Sequence, residues 1–229
     1  MSTLVLAIDA PQQSWGQSSR ANVRHSGIFP TKSGIVGLIA SAMGRDWEDD
    51  ICDLAALKFG VRIDYPGTVM RDFHTAQGEK DKKDGSTLTY RYYLVDAKFT
   101  VALEGEDSLI EDIEKALQKP RRAIFFGRKS CPPARPLVQY ISNKSFEACL
   151  HEAELLGSPS DYQRLESSNR LEIITDCRDD ETPHEFIMDY PVTFSRTGRQ
   201  FKNRPVRYSH VTVHNDTHSH DPFTLLGGN

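Results

Sequence analysis

The sequence predicts an α+β fold, a sheet with helices laid on it and one long hairpin projecting from the body. Two observations predict it. Apolar residues switch between short strand-like runs and helical spacing in the order strand, helix, strand, hairpin, strand, helix. A charged stretch with no apolar residue, 78–86, interrupts an otherwise aromatic ribbon, as the tip of a hairpin does.

The elements follow in order. Residues 4–8 are apolar on both faces, which predicts a central strand. A loop rich in Gln, Ser and Arg spans 11–26. Ile35, Leu38, Ile39, Ala42 and Met43 share one helical face, with Pro30 and Ser33 at the start and Gly44 at the stop. A short helix over 49–58 and a strand over 59–64 end at Pro66-Gly67. The ribbon's arms are 69–75 and 88–94, and a further strand is expected over 93–103. Leu109, Ile110, Ile113 and Leu117 predict a helix over 108–118. This order fits a ferredoxin-like unit with an inserted hairpin. After Pro136 the pattern offers a helix over 146–156 and strands over 171–175, 185–188 and 206–213, in a smaller β-rich subdomain with a loose tail from Asn215.

With 229 residues, 38% hydrophobic and 26% charged, the chain is long enough to bury a core. No leader is expected at its start, and no apolar run reaches the length of a membrane span. Cys52, Cys131, Cys149 and Cys177 lack C-x-x-C spacing and read as reduced thiols, neither a zinc site nor a disulfide frame. The net charge of −4 taken alone argues against nucleic acid. Its distribution argues the other way. Lys119, Arg121, Arg122, Arg128, Lys129 and Arg135 form one run without an acid, and Arg196, Arg199, Lys202, Arg204 and Arg207 form another. Acids gather between them, eleven Asp and Glu against three Arg over 151–190. Such segregation gives basic faces, although a solvated surface is the usual fate of a single run.

Five strings carry candidate chemistry. Pro30-Thr31-Lys32-Ser33-Gly34 opens a helix, where free N–H groups and the positive dipole end collect; an anion or plain capping by Ser33 accounts equally for it. Thr31 stands where a P-loop needs glycine, which excludes an ATPase. Gln13-Ser14-Trp15-Gly16 with Arg20, Arg24 and His25 places a tryptophan among cations, to stack on a base or to pack under the helix. Arg71-Asp72-Phe73-His74-Thr75 and Tyr90-Arg91-Tyr92-Tyr93 interleave aromatic and basic residues on the ribbon, which suits single-stranded RNA or simple cross-strand pairing. Lys119-Pro120-Arg121-Arg122 and Phe126-Gly127-Arg128-Lys129-Ser130-Cys131-Pro132 set cations around a glycine that lets a backbone pass close. His210, His214, His218 and His220 with Asp216 and Asp221 have helical metal spacing, but Val211, Val213 and Asn215 favour strand and turn, so no metal is expected. No nucleophile elbow, zinc-protease motif or catalytic cysteine signature is present.

Taken together, the strings at 13–16, 29–38, 71–75, 92–103, 117–120 and 127–132 resemble, in sequence and in order, the Cas-five family of repeat-associated mysterious proteins (the RAMP superfamily), in the form found in type I-E CRISPR Cascade. The resemblance spans about residues 3–137. It implies a ferredoxin-like, RRM-type domain over 1–137 with a thumb hairpin at about 69–94, followed by the smaller subdomain over 138–229. It also implies a non-catalytic, cytoplasmic subunit without cofactor or membrane, which grips the 5′ handle of the crRNA and caps the backbone filament. Its partners would be the backbone subunit CasC and the large subunit CasA, with target DNA met through the complex. The RNA-binding residues expected are Trp15, Arg20, Arg24, Lys32, Ser33, Arg71, His74, Tyr90, Arg91, Arg121, Arg128 and Lys129.

Two alternatives stand beside this. A relative in another CRISPR subtype cuts precursor RNA without a metal, using a base near the 2′-OH and a cation for the phosphate. His25, His74 and Tyr90 are the candidates here. An RRM-like RNA binder outside CRISPR is disfavoured by the missing RNP signature.

Overall fold

A computed structural model describes residues 1–16, 19–20, 22–76, 87–157, 170–178 and 180–212. In chain order the elements are β1 (Ser2–Asp9), β2 (Gln12–Gln13), β3 (Ser19–Arg20), β4 (Val23–Arg24), α1 (Lys32–Met43), α2 (Cys52–Ala55), β5 (Lys58–Tyr65), β6 (Thr68–Ala76), β7 (Thr87–Val95) and β8 (Lys98–Gly105). They continue with α3 (Asp107–Gln118), β9 (Val138–Ser142), α4 (Phe146–Glu152), β10 (Arg170–Asp176), β11 (Glu185–Thr193) and β12 (Gln200–Thr212).

A large antiparallel sheet runs β11-β12-β10-β5-β8-β1-β9. Burial on both faces, read from residues 4–8, places β1 inside this sheet, between β8 and β9. Leu4, Leu6 and Ile8 pack with Ile35 and Ile39 of α1 and with Ile110 and Ile113 of α3. Val5 turns the other way, against Cys149 and Ala153 around α4. The sheet is therefore covered on both sides, and β1 has no polar face to offer water. The sheet does not stop at residue 137: β9 pairs with β1, and β10 pairs with β5 through Ile173↔Arg62 and Ile174↔Val61. The strands expected in a separate subdomain extend the same sheet.

The expected strand over 93–103 is two strands. Asp96, at φ 59, breaks the run between β7 and β8, and its amide donates to the Pro11 carbonyl at 3.1 Å. The left-handed conformation suits an aspartate in a tight turn. The short helix expected over 49–58 is confined to α2, and the last strand begins at Gln200, six residues before the expected start.

Two buried polar networks fasten the layers. Arg62, on β5, donates to the carbonyls of Leu150 (2.7 Å), Ala153 (2.8 Å) and Glu154 (2.9 Å), answering carbonyls that the end of α4 leaves unpaired. Asp64 and Thr100 complete that network. In the second, Arg204 of β12 holds Asp189 of β11 through Nε (2.7 Å) and Nη2 (2.9 Å), and Asp176 of β10 through Nη1 (2.7 Å). Lys32 joins it, with Nζ 3.0 Å from Asp176 and its amide 2.8 Å from Asp189.

The expected tip of the ribbon, 78–86 with Lys80, Lys82 and Lys83, the tail from Asn215, and His214, His218 and His220 lie outside the described residues. Among the described residues no group of three or more His, Cys, Asp or Glu converges to hold a metal, and no helix is long and apolar enough to cross a membrane.

Candidate nucleic-acid interface

The interface begins with the register of the hairpin. β6 and β7 pair antiparallel through Arg71↔Tyr92, Asp72↔Arg91, Phe73↔Tyr90, His74↔Thr89 and Thr75↔Leu88. Residues directly opposite share a face, and neighbours along a strand alternate. One face thus carries Val69, Arg71 and Phe73 with Tyr92, Tyr90 and Leu88. Here the Arg71 guanidinium lies 5.4 Å from the Tyr90 ring centroid, and the Phe73 ring lies 5.8 Å from it. Val69, Phe73 and Leu88 are exposed large apolar side chains. The other face carries Asp72, His74, Arg91 and Tyr93.

β4 lies parallel to β7, with Val23 beside Tyr90 and Arg24 beside Arg91. His25 follows and stacks on Tyr92, centroids 5.1 Å apart and planes at 20°. The two faces stay distinct across this junction. The aromatic face gains His25 and the charged face gains Arg24.

The loop 126–131 closes onto the charged face. Its backbone turns at Gly127, φ 80, where a Cβ would overlap the Ser14 carbonyl oxygen, so only glycine fits. Ser14 N donates to the Phe126 carbonyl at 3.1 Å, and Cys131 N to the Arg128 carbonyl at 2.8 Å. This holds Arg128 over the Tyr93 ring, 4.4 Å from its centroid, with Nη2 3.3 Å from the Arg24 carbonyl. Arg128 Nη1 and Arg91 Nε are buried and have no hydrogen-bond partner among the described residues. The carboxylate beside them, Asp72, is engaged by His74. Arg24, Arg91 and Arg128 therefore meet on one surface with no ion-pair carboxylate among the described residues, and Lys129, next in the chain after Arg128, is exposed. The planar guanidinium fork suits a bidentate phosphate or carboxylate acceptor.

Other expected site residues lie elsewhere. Trp15 is only 1% exposed; its ring packs on Phe126 at 5.8 Å and its Nε1 donates to Gln13 at 3.0 Å. It packs under α1 and offers no stacking surface. Lys32 is 3% exposed and sits over the Tyr190 ring at 5.1 Å. Burial lowers its pKa despite the Asp176 carboxylate beside it. The start of α1 does attract an anion, but the anion is the chain's own Asp189. Ser33 is not the cap either: Thr31 Oγ1 accepts from Gly34 N at 3.2 Å. Arg121 is exposed, with its aliphatic stem close against Gly44. Arg20 pairs with Val23 in the β3-β4 turn. The three candidates for cleavage chemistry are not brought together. Tyr90 and His25 lie on the aromatic face, while His74 lies on the opposite face against Asp72.

The carboxylates that claim Lys32 escaped sequence reasoning. Asp176 and Asp189 stand 144 and 157 residues from it, and their only signal was membership of an acid-rich stretch.

A sheet covered on both faces, a projecting two-faced hairpin and a glycine turn that sets an arginine beside it define the class. The profile of the family described as CRISPR-associated protein (Cas_Cas5) matches residues 3–207, and the chain belongs to this family. Within it, the chain is similar to the CRISPR system Cascade subunit CasD of Escherichia coli (strain K12), at 38% identity over 156 residues that cover 59% of this chain and 69% of that one. A solved chain of a CRISPR RNA-guided surveillance complex superposes with a TM-score of 0.72 at 26% identity, covering 92% of this chain and 90% of the other. A crystal structure of a Cas protein gives 0.64 at 32% identity, over 92% and 95%.

Proposed function

We propose that the chain is a non-catalytic, crRNA-binding subunit of a type I-E Cascade complex. It holds the 5′ handle of the crRNA and caps the backbone filament in the cytoplasm. CasC and CasA are its protein neighbours, and target DNA is met through the complex. The observation that carries this reading is the convergence of Arg24, Arg91 and Arg128, none of them ion-paired among the described residues, beside a ribbon face of Phe73, Tyr90 and Tyr92. Phosphates meet the guanidinium groups and unstacked bases meet the rings.

The fold supports the reading. Taken alone, β1, α1, β5, β8, α3 and β9 give the order β-α-β-β-α-β, with the sheet running fourth, first, third, second strand. That is a ferredoxin-like, RRM-type unit whose last strand is β9, one element beyond residue 137. The hairpin β6-β7 is its thumb, inserted between the second and third strands.

The test uses RNA carrying the repeat-derived handle, with and without EDTA. Replacing Arg91 and Arg128 with alanine removes two phosphate contacts. At about 0.7 per contact on a single strand, the slope of log affinity against log salt falls by about 1.4. Unchanged affinity and slope would make these arginines ordinary surface. EDTA-resistant cleavage leaving a 2′,3′-cyclic phosphate, lost on replacing His74 or Tyr90, would instead establish the endoribonuclease.

A further inference from the structure

A second groove lies outside the hairpin surface and, among the described residues, shares Gly127 with it. It has a volume of about 550 Å³, within the range of sites that hold small organic groups. Gly34, Gly37, Ala40 and Ser41 of α1 line one side of it, and the Phe194 ring packs close against Gly37. Trp47, Phe125 and Phe194 line it as well. Trp47 is 44% exposed, unlike Trp15, the other tryptophan of the chain. The Arg199 and Arg196 guanidinium carbons stand 4.7 and 5.6 Å from the Trp47 ring centroid.

The charges at this groove are sorted. Of the cations in the acid-free run 192–210, Arg204 is held by Asp176 and Asp189, and Arg207 by Glu181. Arg196 and Arg199 have no ion-pair partner among the described residues. Asp46, the carboxylate that lines the groove, binds Arg122, and Glu48, just outside it, accepts the Ser195 hydroxyl and the Arg196 amide, both at 3.2 Å. Glu48, the neighbour of Trp47, thereby ties the turn carrying the two arginines to the segment that carries this tryptophan.

The geometry points to this groove as a second binding site for single-stranded nucleic acid, with bases against Trp47 and phosphates on Arg196 and Arg199. Unpaired guanidinium groups around an exposed indole and two phenyl rings supply both halves of that recognition, attraction for the backbone and a planar apolar surface for bases. An acidic protein segment would use the arginines and leave the rings idle. The site goes beyond the hairpin reading, since no hairpin residue lines it.

Intrinsic fluorescence tests it, because Trp47 is the exposed one of two tryptophans. The full chain is titrated with short oligo(dT) and oligo(U), and with polyglutamate as a polyanion without bases. Stacked bases quench Trp47 saturably; the quench is absent in Trp47→Phe and persists in the Arg91→Ala/Arg128→Ala variant of the hairpin surface. In Arg196→Ala/Arg199→Ala the salt slope read from the quench falls by about 1.4, two contacts at about 0.7 each. Absence of quenching, or a quench with an unchanged slope in the arginine variant, overturns the proposal. Equal quenching by polyglutamate overturns it in favour of an acidic protein partner. Loss of the quench in the hairpin variant shows one continuous site and overturns the second one, whereas handle binding by the hairpin surface is read separately with handle RNA.

Discussion

Asp189 is 2% exposed, and its carboxylate accepts the Lys32 amide and two arms of Arg204. Replacing it with alanine leaves Arg204 with Asp176 alone and leaves the first amide of α1 facing a void. Breaking one partner out of a buried, hydrogen-bonded pair costs about 3–5 kcal/mol, because the remaining charge is still out of water. For a chain of this size each kcal/mol moves the thermal midpoint by about 2–4 °C, so Asp189→Ala lowers it by about 6–20 °C. Asp189→Asn keeps the shape and one acceptor and falls between the variant and the parent. Glu111→Ala is the control, since it removes only an exposed helical pair with Lys115 and leaves the midpoint within about 2 °C. Calorimetry reads the midpoint, and hydrogen exchange locates the damage. The Lys32 amide, protected in the parent, should exchange faster in Asp189→Ala. A midpoint within about 2 °C of the parent, with Lys32 still protected, would refute the view that this cluster holds the start of the helix.

Two further predictions concern pH and the hairpin. Burial alone would raise the carboxyl pKa of Glu104, but Lys58 Nζ at 2.6 Å and the Phe146 amide at 2.9 Å outweigh it, and the folded value lies below the ordinary 4.5. A depressed carboxylate contributes stability that is complete above pH 4.5 and is lost as pH falls through the folded value. Urea midpoints should therefore drop on that acid side in the parent and drop less in Glu104→Gln, and equal acid slopes would contradict it. Ala76 and Thr87 are directly opposed, so replacing residues 77–86 with Asn-Gly closes the ribbon with a two-residue turn. The shortened chain should melt within about 2 °C of the parent yet join the RNA-bound complex poorly; unfolding, or full assembly, would each count against the thumb reading.

The first half of the fold was legible because its signals are local. The apolar run at 4–8, the helical spacing from Ile35 to Met43, and the aromatic arms of the ribbon each report their own period. The candidate interface was partly legible for the same reason: Arg71, Tyr90 and Arg91 lie on a hairpin whose register alternation can be read from the residues. Arg128 and Arg24 were named as cations, but the seat of Arg128 over Tyr93 and against the Arg24 carbonyl depends on Gly127 passing Ser14, a contact across more than a hundred residues. Trp15 and Lys32 were misplaced because the partners that bury them are distant in sequence. Lys32 beside Ser33 looks free until Asp176 and Asp189 arrive from other strands. Trp47 drew no notice because its sequence neighbours are Asp46, Glu48 and Asp49, while its arginines come from the turn after β11. The pairing of β10 with β5 likewise has no sequence signal, since any apolar strand edge would accept it.

The contact between Lys32 and Asp189 spans 157 residues, and this orders events during synthesis. At about 5–20 residues per second, α1 has left the peptidyl-transfer centre about 8–30 s before the carboxylate that completes it is made. Throughout that interval the nascent helix presents a bare N-terminus and a lysine with no counter-ion, over a half-built sheet. A message truncated between codons 43 and 189 yields a chain that holds the helix and lacks its closing carboxylate. The apolar surface around α1 is thus closed late, only once β11 has brought Asp189 to the start of the helix.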